Sequence, residues 1–129
     1  MRGLPPLLSA MLMIGGCSDS CENTIVSRAT SPDGKWDAVM FERSCGATTD
    51  FSTQISVVKA GGAVSGGGSV FVADTDHGVA RAGSWGGPWA EITWSSPTRL
   101  LIRYAAGSRT FLQSKAAERA SVTYQVIGG

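Results

Sequence analysis

A chain of 129 residues supports one domain rather than two. It has 43% hydrophobic and 16% charged residues, 17 glycines and a formal net charge of +1, with no acidic or basic run. That balance argues against a dedicated nucleic-acid binder, which carries a basic patch or stripe, and against electrostatic adhesion to anionic lipid.

The chain opens MRGLPPLLSAMLMIGGC. Arg2 and the free amine form a short positive region, and Leu4 to Ile14 is an uncharged, mostly apolar run. Crossing a bilayer takes about 20 apolar residues, so this run is too short for a membrane helix and fits the hydrophobic region of an export signal. Ile14-Gly15-Gly16-Cys17 then resembles the bacterial lipobox: an aliphatic residue, two small residues and a cysteine. In that family the cysteine sulfur takes a diacylglycerol, the signal is cut before it, and the new amine is acylated. Such multiple acylation suits stable anchoring, because one acyl chain holds a protein only marginally. The resemblance implies a lipoprotein signal peptide over residues 1–16 and a lipidated anchor with a short tether over 17–21. The remainder, 22–129, is expected to be a single β domain. Ser18 resembles the sorting preference for the outer membrane in double-membraned bacteria, which implies that membrane rather than the inner one. The alternative is an ordinary signal peptide cut nearby, with Cys17 left free. Removal of residues 1–16 takes away Arg2 and leaves ten basic and ten acidic residues, a formal charge of zero.

With Cys17 consumed by lipid, Cys21 and Cys45 remain in an oxidising compartment, where disulfides persist. A Cys21–Cys45 bridge is expected. The competing pairing of Cys17 with Cys21 needs a tight loop through Ser18-Asp19-Ser20 and strands Cys45.

Along the rest of the chain apolar residues mostly alternate, the strand signal. Glu22 to Ala29 is predicted as the first strand, followed by a tight turn at Ser31-Pro32-Asp33-Gly34. Lys35 to Arg43 is next, with Trp36, Ala38 and Met40 on one face and Val39 and Phe41 on the other, as in a central strand covered on both sides. SCGATTDF is a connecting loop, and Thr53 to Lys59 a third strand with Ile55 and Val57 on one face. Residues 60–69, AGGAVSGGGS, hold five glycines and are expected to form a mobile surface loop, since glycine loses the most backbone entropy on ordering. Val70 to Asp74 is a fourth strand, and 80–89 is irregular. Ala90 to Trp94 and Leu100 to Tyr104 alternate about a Ser96-Pro97-Thr98 turn and are expected to pair as a hairpin. Phe111-Leu112 is a short strand, Gln113 to Ala120 a helix-friendly stretch, and Val122 to Val126 a last strand. The fold class is therefore all-β: a single small antiparallel domain of about seven or eight strands, a sandwich or a curled meander sheet.

SPDGKWDAVMF and WSSPTRLLIRY resemble the turn-plus-strand unit of bacterial β-propeller repeats of the SPDGK type, but the chain is too short for a propeller. Residues 21–58, CENTIVSRATSPDGKWDAVMFERSCGATTDFSTQISVV, resemble a group of small uncharacterised bacterial envelope proteins. These share a cysteine, SPDGK, then FER-x-CGATT-x-FSTQ. The resemblance implies an envelope location and a disulfide-pinned β domain, and no chemistry.

His77 is the only histidine, in DTDHG near Asp74 and Asp76. With no further His or free Cys to join it, a metal site is not expected and neither is any cofactor. No G-x-S-x-G elbow supports a Ser–His–Asp triad, so no catalytic residue is assigned and His77 is expected to be dispensable. Glu42 and Arg43, beside Thr48, Thr49, Ser52 and Gln54, are candidates for binding a polar ligand around one concavity. Their structural alternative is hydrogen bonding within the CGATT loop. Trp36 and Trp94 lie in strand patterns and are expected in the core. Trp85 and Trp89, among glycines and a proline, are candidates for an exposed binding platform. The expected function is a lipid-anchored envelope protein, a non-catalytic binding or structural module with an envelope protein or glycan as partner. The alternative is a hydrolase-type enzyme acting on envelope material through His77 or Glu42.

Overall fold

The computed structural model describes residues 21–46 and 50–128. Those residues form an all-β domain of nine strands: β1 (Glu22–Thr30), β2 (Trp36–Ser44), β3 (Ser52–Lys59), β4 (Phe71–Asp74), β5 (Ala90–Ser96), β6 (Arg99–Ala105), β7 (Arg109–Gln113), β8 (Ala116–Ala117) and β9 (Ala120–Ile127). They make a five-stranded sheet in the order β1-β2-β3-β4-β7 and a four-stranded sheet in the order β5-β6-β9-β8. All neighbours pair antiparallel except β6 and β9, which are parallel over Arg99↔Ser121 to Ala105↔Ile127. The anchor and signal residues, Cys17 among them, and Thr48 and Thr49 lie outside the described residues.

The two sheets pack face to face. From the larger sheet come Ala38, Met40, Ile55, Val57, Phe71 and Ala73; from the smaller come Ala90, Leu100, Ile102 and Val122. Phe71 and Ala73 apart, these belong to the alternating sets that the sequence pattern assigns to one face of their strands. Phe71, fully buried, stacks with Tyr104 and Tyr124 at centroid distances of 5.2 and 6.0 Å. Two polar hooks close the seams. The Trp94 indole N–H donates to the Ala29 carbonyl at 2.8 Å, joining β5 to β1. The Tyr124 hydroxyl sits against the Val70 and Ser114 carbonyls, at 3.2 and 2.5 Å. Burial pushes that phenol up to about 12.

The outer face of the larger sheet is also covered, so β2 is buried on both sides: Val39 and Phe41 are inaccessible there, as Ala38 and Met40 are within. The cover is the glycine-rich segment 60–69, which is a pinned strap and not a mobile loop. The Gly61 N–H donates to Asp37 Oδ2 (2.9 Å), the Gly68 N–H to Gln54 Oε1 (2.7 Å) and the Ser69 N–H to Ser56 Oγ (2.9 Å). From the edge strand, Arg28 donates to the Gly62 carbonyl and Asn23 to the Gly66 carbonyl. The glycines serve approach as much as freedom. A Cβ on Gly68 would stand 2.6 Å from the Phe71 carbonyl oxygen, so no other residue fits so close to the β3–β4 ladder.

Gln113 to Ala120 is not helical. Ala116-Ala117 turns back on Ala120-Ser121 through Glu118, which adopts the left-handed conformation at φ 56°. Pairing with β9 overrides a local helix preference, as tertiary context often does.

Candidate functional site

β1, β3, β5 and β7 begin at one end of the sandwich, where β2, β4, β6 and β9 finish. Cys21 and Cys45, one residue beyond the Glu22↔Ser44 pair, are joined there by a disulfide with a Cα separation of 4.1 Å. Beside it a cleft of about 400 Å³ opens on the outer face of the larger sheet. Arg43, Cys45, Ser52, Gln54, Asp74 and Arg109 line it, with Asp50, His77 and Phe111 at its sides.

Strand pairing assembles this set. Ser52↔Asp74 and Asp74↔Arg109 place three polar side chains in one row across β3, β4 and β7. Arg109 meets Asp74 with two bonds, Nε to Oδ1 at 3.0 Å and NH2 to Oδ2 at 2.6 Å. Such a fork-on-carboxylate pair fixes orientation as well as charge. It holds the Asp74 carboxyl below its ordinary range, with the Asp76 N–H assisting, and holds the Arg109 guanidinium above its own. Asp50 and Asp76 stand 3.7 and 3.8 Å from the same guanidinium. Phe111 lies under it, its ring centroid 5.4 Å from the guanidinium carbon. Among the described residues no three of His, Cys, Asp and Glu are grouped to hold a metal ion; the centre of this acidic cluster is Arg109.

The DTDHG segment is a tight turn with Asp76, His77 and Gly78 all left-handed, at φ 55°, 58° and 91°. Asp and His tolerate this region better than most residues. Asp74 Oδ1 accepts from the Asp76 N–H, and Thr75 Oγ1 from the Gly78 N–H. The turn presents His77 at the rim with Nδ1 3.4 Å from Asp50 Oδ2. The sequence reading leaves His77 without a partner; the fold supplies Asp50 from just before β3, whose first residue, Ser52, pairs with Asp74. Ser52, in the same cleft, is already committed. Its hydroxyl donates to the Arg43 carbonyl and accepts from the Arg43 N–H and Gln54 Nε2. Asp50 and His77 stand together at the rim of the cleft, and Ser52 is not poised as a nucleophile.

Of the candidates read from sequence, Arg43 and Gln54 line the cleft together, with Ser52 between them. Arg43 is oriented by Asn23 Oδ1 at 2.8 Å. Glu42, on the opposite face of β2, is buried and accepts the Ser52 N–H at 3.4 Å, so it supports the cleft from behind. Trp85 and Trp89 lie outside the lining. The Trp85 indole N–H donates to Thr53 Oγ1 at 2.8 Å and its ring packs on the core. Trp89 is half-buried with the Arg81 guanidinium 4.7 Å from its ring. Asp50, Arg109 and Phe111 escape a sequence reading, because only the β4–β7 pairing carries Arg109 and Phe111 to Asp74.

Compared with known proteins, the chain matches no family model, no curated protein and no solved structure.

Proposed function

We propose that this chain is a lipid-anchored protein of the bacterial cell envelope, held in the outer membrane, whose β domain binds a polar ligand or partner in the cleft without catalysing a reaction. The observation that carries the reading is the Cys21–Cys45 bridge. A bridged pair suits an exported protein, and it leaves Cys17, at the end of IGGC, as the one cysteine for lipid. The resemblance of residues 21–58 to small envelope proteins points the same way. The cleft supports binding: its arginines and carboxylates offset each other, and its polar groups converge beside the exposed Phe111 ring. An envelope protein or a glycan presents hydrogen-bonding groups of the required kind.

Mass spectrometry of the membrane fraction is expected to find a mature chain starting at a diacylated or triacylated Cys17. An unlipidated chain starting elsewhere would overturn the anchor.

One observation favours a second reading, a hydrolase acting on envelope material: the Asp50–His77 couple faces the cleft. Binding predicts that the His77→Ala chain keeps its melting temperature and retains the same material from an envelope extract as the native domain. Loss of an envelope phenotype with an unchanged melting temperature would favour the hydrolase.

A further inference from the structure

The exposed apolar side chains are not scattered. Among the described residues the exposed large hydrophobics are Ile25, Phe51, Val79, Phe111, Leu112 and Val126. All six lie in the half of the sandwich that ends at the disulfide. Phe51 immediately precedes β3 and Val79 follows β4. Ile25 and Leu112 share one row across the larger sheet, through Phe41, Gln54 and Val72. Val126 is one residue from the finish of β9. The most accessible are Val79 (68%), Phe111 (63%) and Phe51 (59%). The opposite end carries the turns 31–35, 59–62 and 114–119, and there all three lysines, Lys35, Lys59 and Lys115, face solvent. The exposed large apolar side chains are therefore gathered at one end of the strand axis and the lysines at the other.

We infer that the disulfide end is a membrane-docking surface and that its partner is the phospholipid bilayer itself. The inference rests on the lipoprotein reading for its geometry. Cys17 precedes Cys21 by four residues, and four residues reach at most about 14 Å however they run. An acylated Cys17 would hold the Cys21–Cys45 bridge, and the end of the sandwich that carries it, within that distance of the bilayer. The side chains that meet the interface are then Phe51, Val79 and Phe111. The charge at this end is not cationic, Arg43, Arg81, Arg103 and Arg109 standing against Glu22, Glu42, Asp50, Asp74, Asp76 and Glu91, so contact with the bilayer is apolar rather than electrostatic. The acyl chains supply the anchoring, and the apolar end sets the domain's orientation. The cleft opens at the same end, so its ligand is met at the membrane surface.

The test separates this surface from the lipid anchor. The mature chain from residue 17, with Cys17→Ser so that it carries neither the apolar segment Leu4 to Ile14 nor an acyl group, is sedimented with vesicles of phosphatidylethanolamine and a minority of phosphatidylglycerol. It is expected to partition measurably. Adding Phe51→Ser and Val79→Ser should lower that partition about tenfold or more, given the apolar area withdrawn from lipid. Lys35→Ser, at the far end, should leave it unchanged. Val79→Ser alone is the check on folding, since this side chain is two-thirds exposed: it should reduce partition with an unaltered melting temperature. No partition by the Cys17→Ser chain, or equal partition with and without Phe51 and Val79, overturns the inference whatever the state of Cys17. An unacylated native Cys17 with vesicle partition that depends on Phe51 and Val79 would instead remove the anchor and leave the surface.

Discussion

A Cys21→Ser, Cys45→Ser chain is expected to lose about 2–5 kcal/mol of stability, the range for small exported domains that lose a native bridge. The bridge spans a sequence separation of 24, for which chain entropy alone gives about 3–4 kcal/mol. For a domain of this size each kcal/mol moves the melting temperature by roughly 4 °C, so a fall of about 8 °C or more should be seen. The position of the bridge adds to the effect. β1 is the edge strand of the larger sheet, half-exposed along its length, and its start is tied to β2 by ladder bonds and by this disulfide. Without the bridge, the amides of Glu22 to Ile25 should exchange faster, ahead of the core strands. Wild type in reductant should match the double variant in both measurements. An unchanged melting temperature in the two comparisons would show that the sandwich alone holds this end.

The strands were legible in the sequence because alternation records which side of a sheet meets a core. Lys35 to Arg43 is the clearest case: apolar residues of both parities meant a strand covered twice, and β2 is covered by the smaller sheet and by the strap. What covers its second face was not legible. Five glycines in ten residues read as entropy, whereas the partners that hold the strap are Asn23, Arg28, Asp37, Gln54 and Ser56, on three separate strands. Nothing local to residues 60–69 announces them. Alternation also carries no direction, so the parallel pairing of β6 with β9 could not be read from it. The cleft divides in the same way. Arg43 and Gln54 stand close in sequence to Cys45 and could be grouped by eye. Arg109 reaches Asp74 over a separation of 35 residues through a strand pairing that local pattern does not encode.

Asp37→Asn should cost about 2–4 kcal/mol at neutral pH, because it leaves several donors without a carboxylate in a buried place. Asp37 sits on β2 opposite Thr30 with its side chain only 5% exposed. Oδ1 accepts from the Thr30 hydroxyl at 2.6 Å, and Oδ2 accepts from Arg28 NH1 and from the Gly61 N–H, both at 2.9 Å. One carboxylate thus joins the edge strand, the central strand and the root of the strap. Asparagine keeps the shape but not the charge: with its amide nitrogen turned to the Thr30 hydroxyl, which then accepts, Arg28 and Gly61 keep an oxygen but lose the carboxylate, and the opposite orientation sets N–H against both of their N–H groups. The pH dependence follows from the same contacts. The Gly61 N–H first, then the Thr30 hydroxyl and the Arg28 charge, hold the Asp37 carboxyl below its ordinary value. A carboxyl depressed by folding binds protons less readily folded than unfolded. Its contribution is therefore complete above an unfolded value of about 4 and is lost as pH falls through the lower folded value. Asp74, depressed by Arg109, acts in the same window and sense. Wild type should accordingly destabilise below about pH 4, and the Asp37→Asn chain should do so less steeply, keeping the share that belongs to Asp74. Denaturant melts at neutral and acid pH measure both slopes. Equal slopes for the two chains would mean that the Asp37 contacts contribute nothing to the acid response, and that the strap is held by its other four bonds.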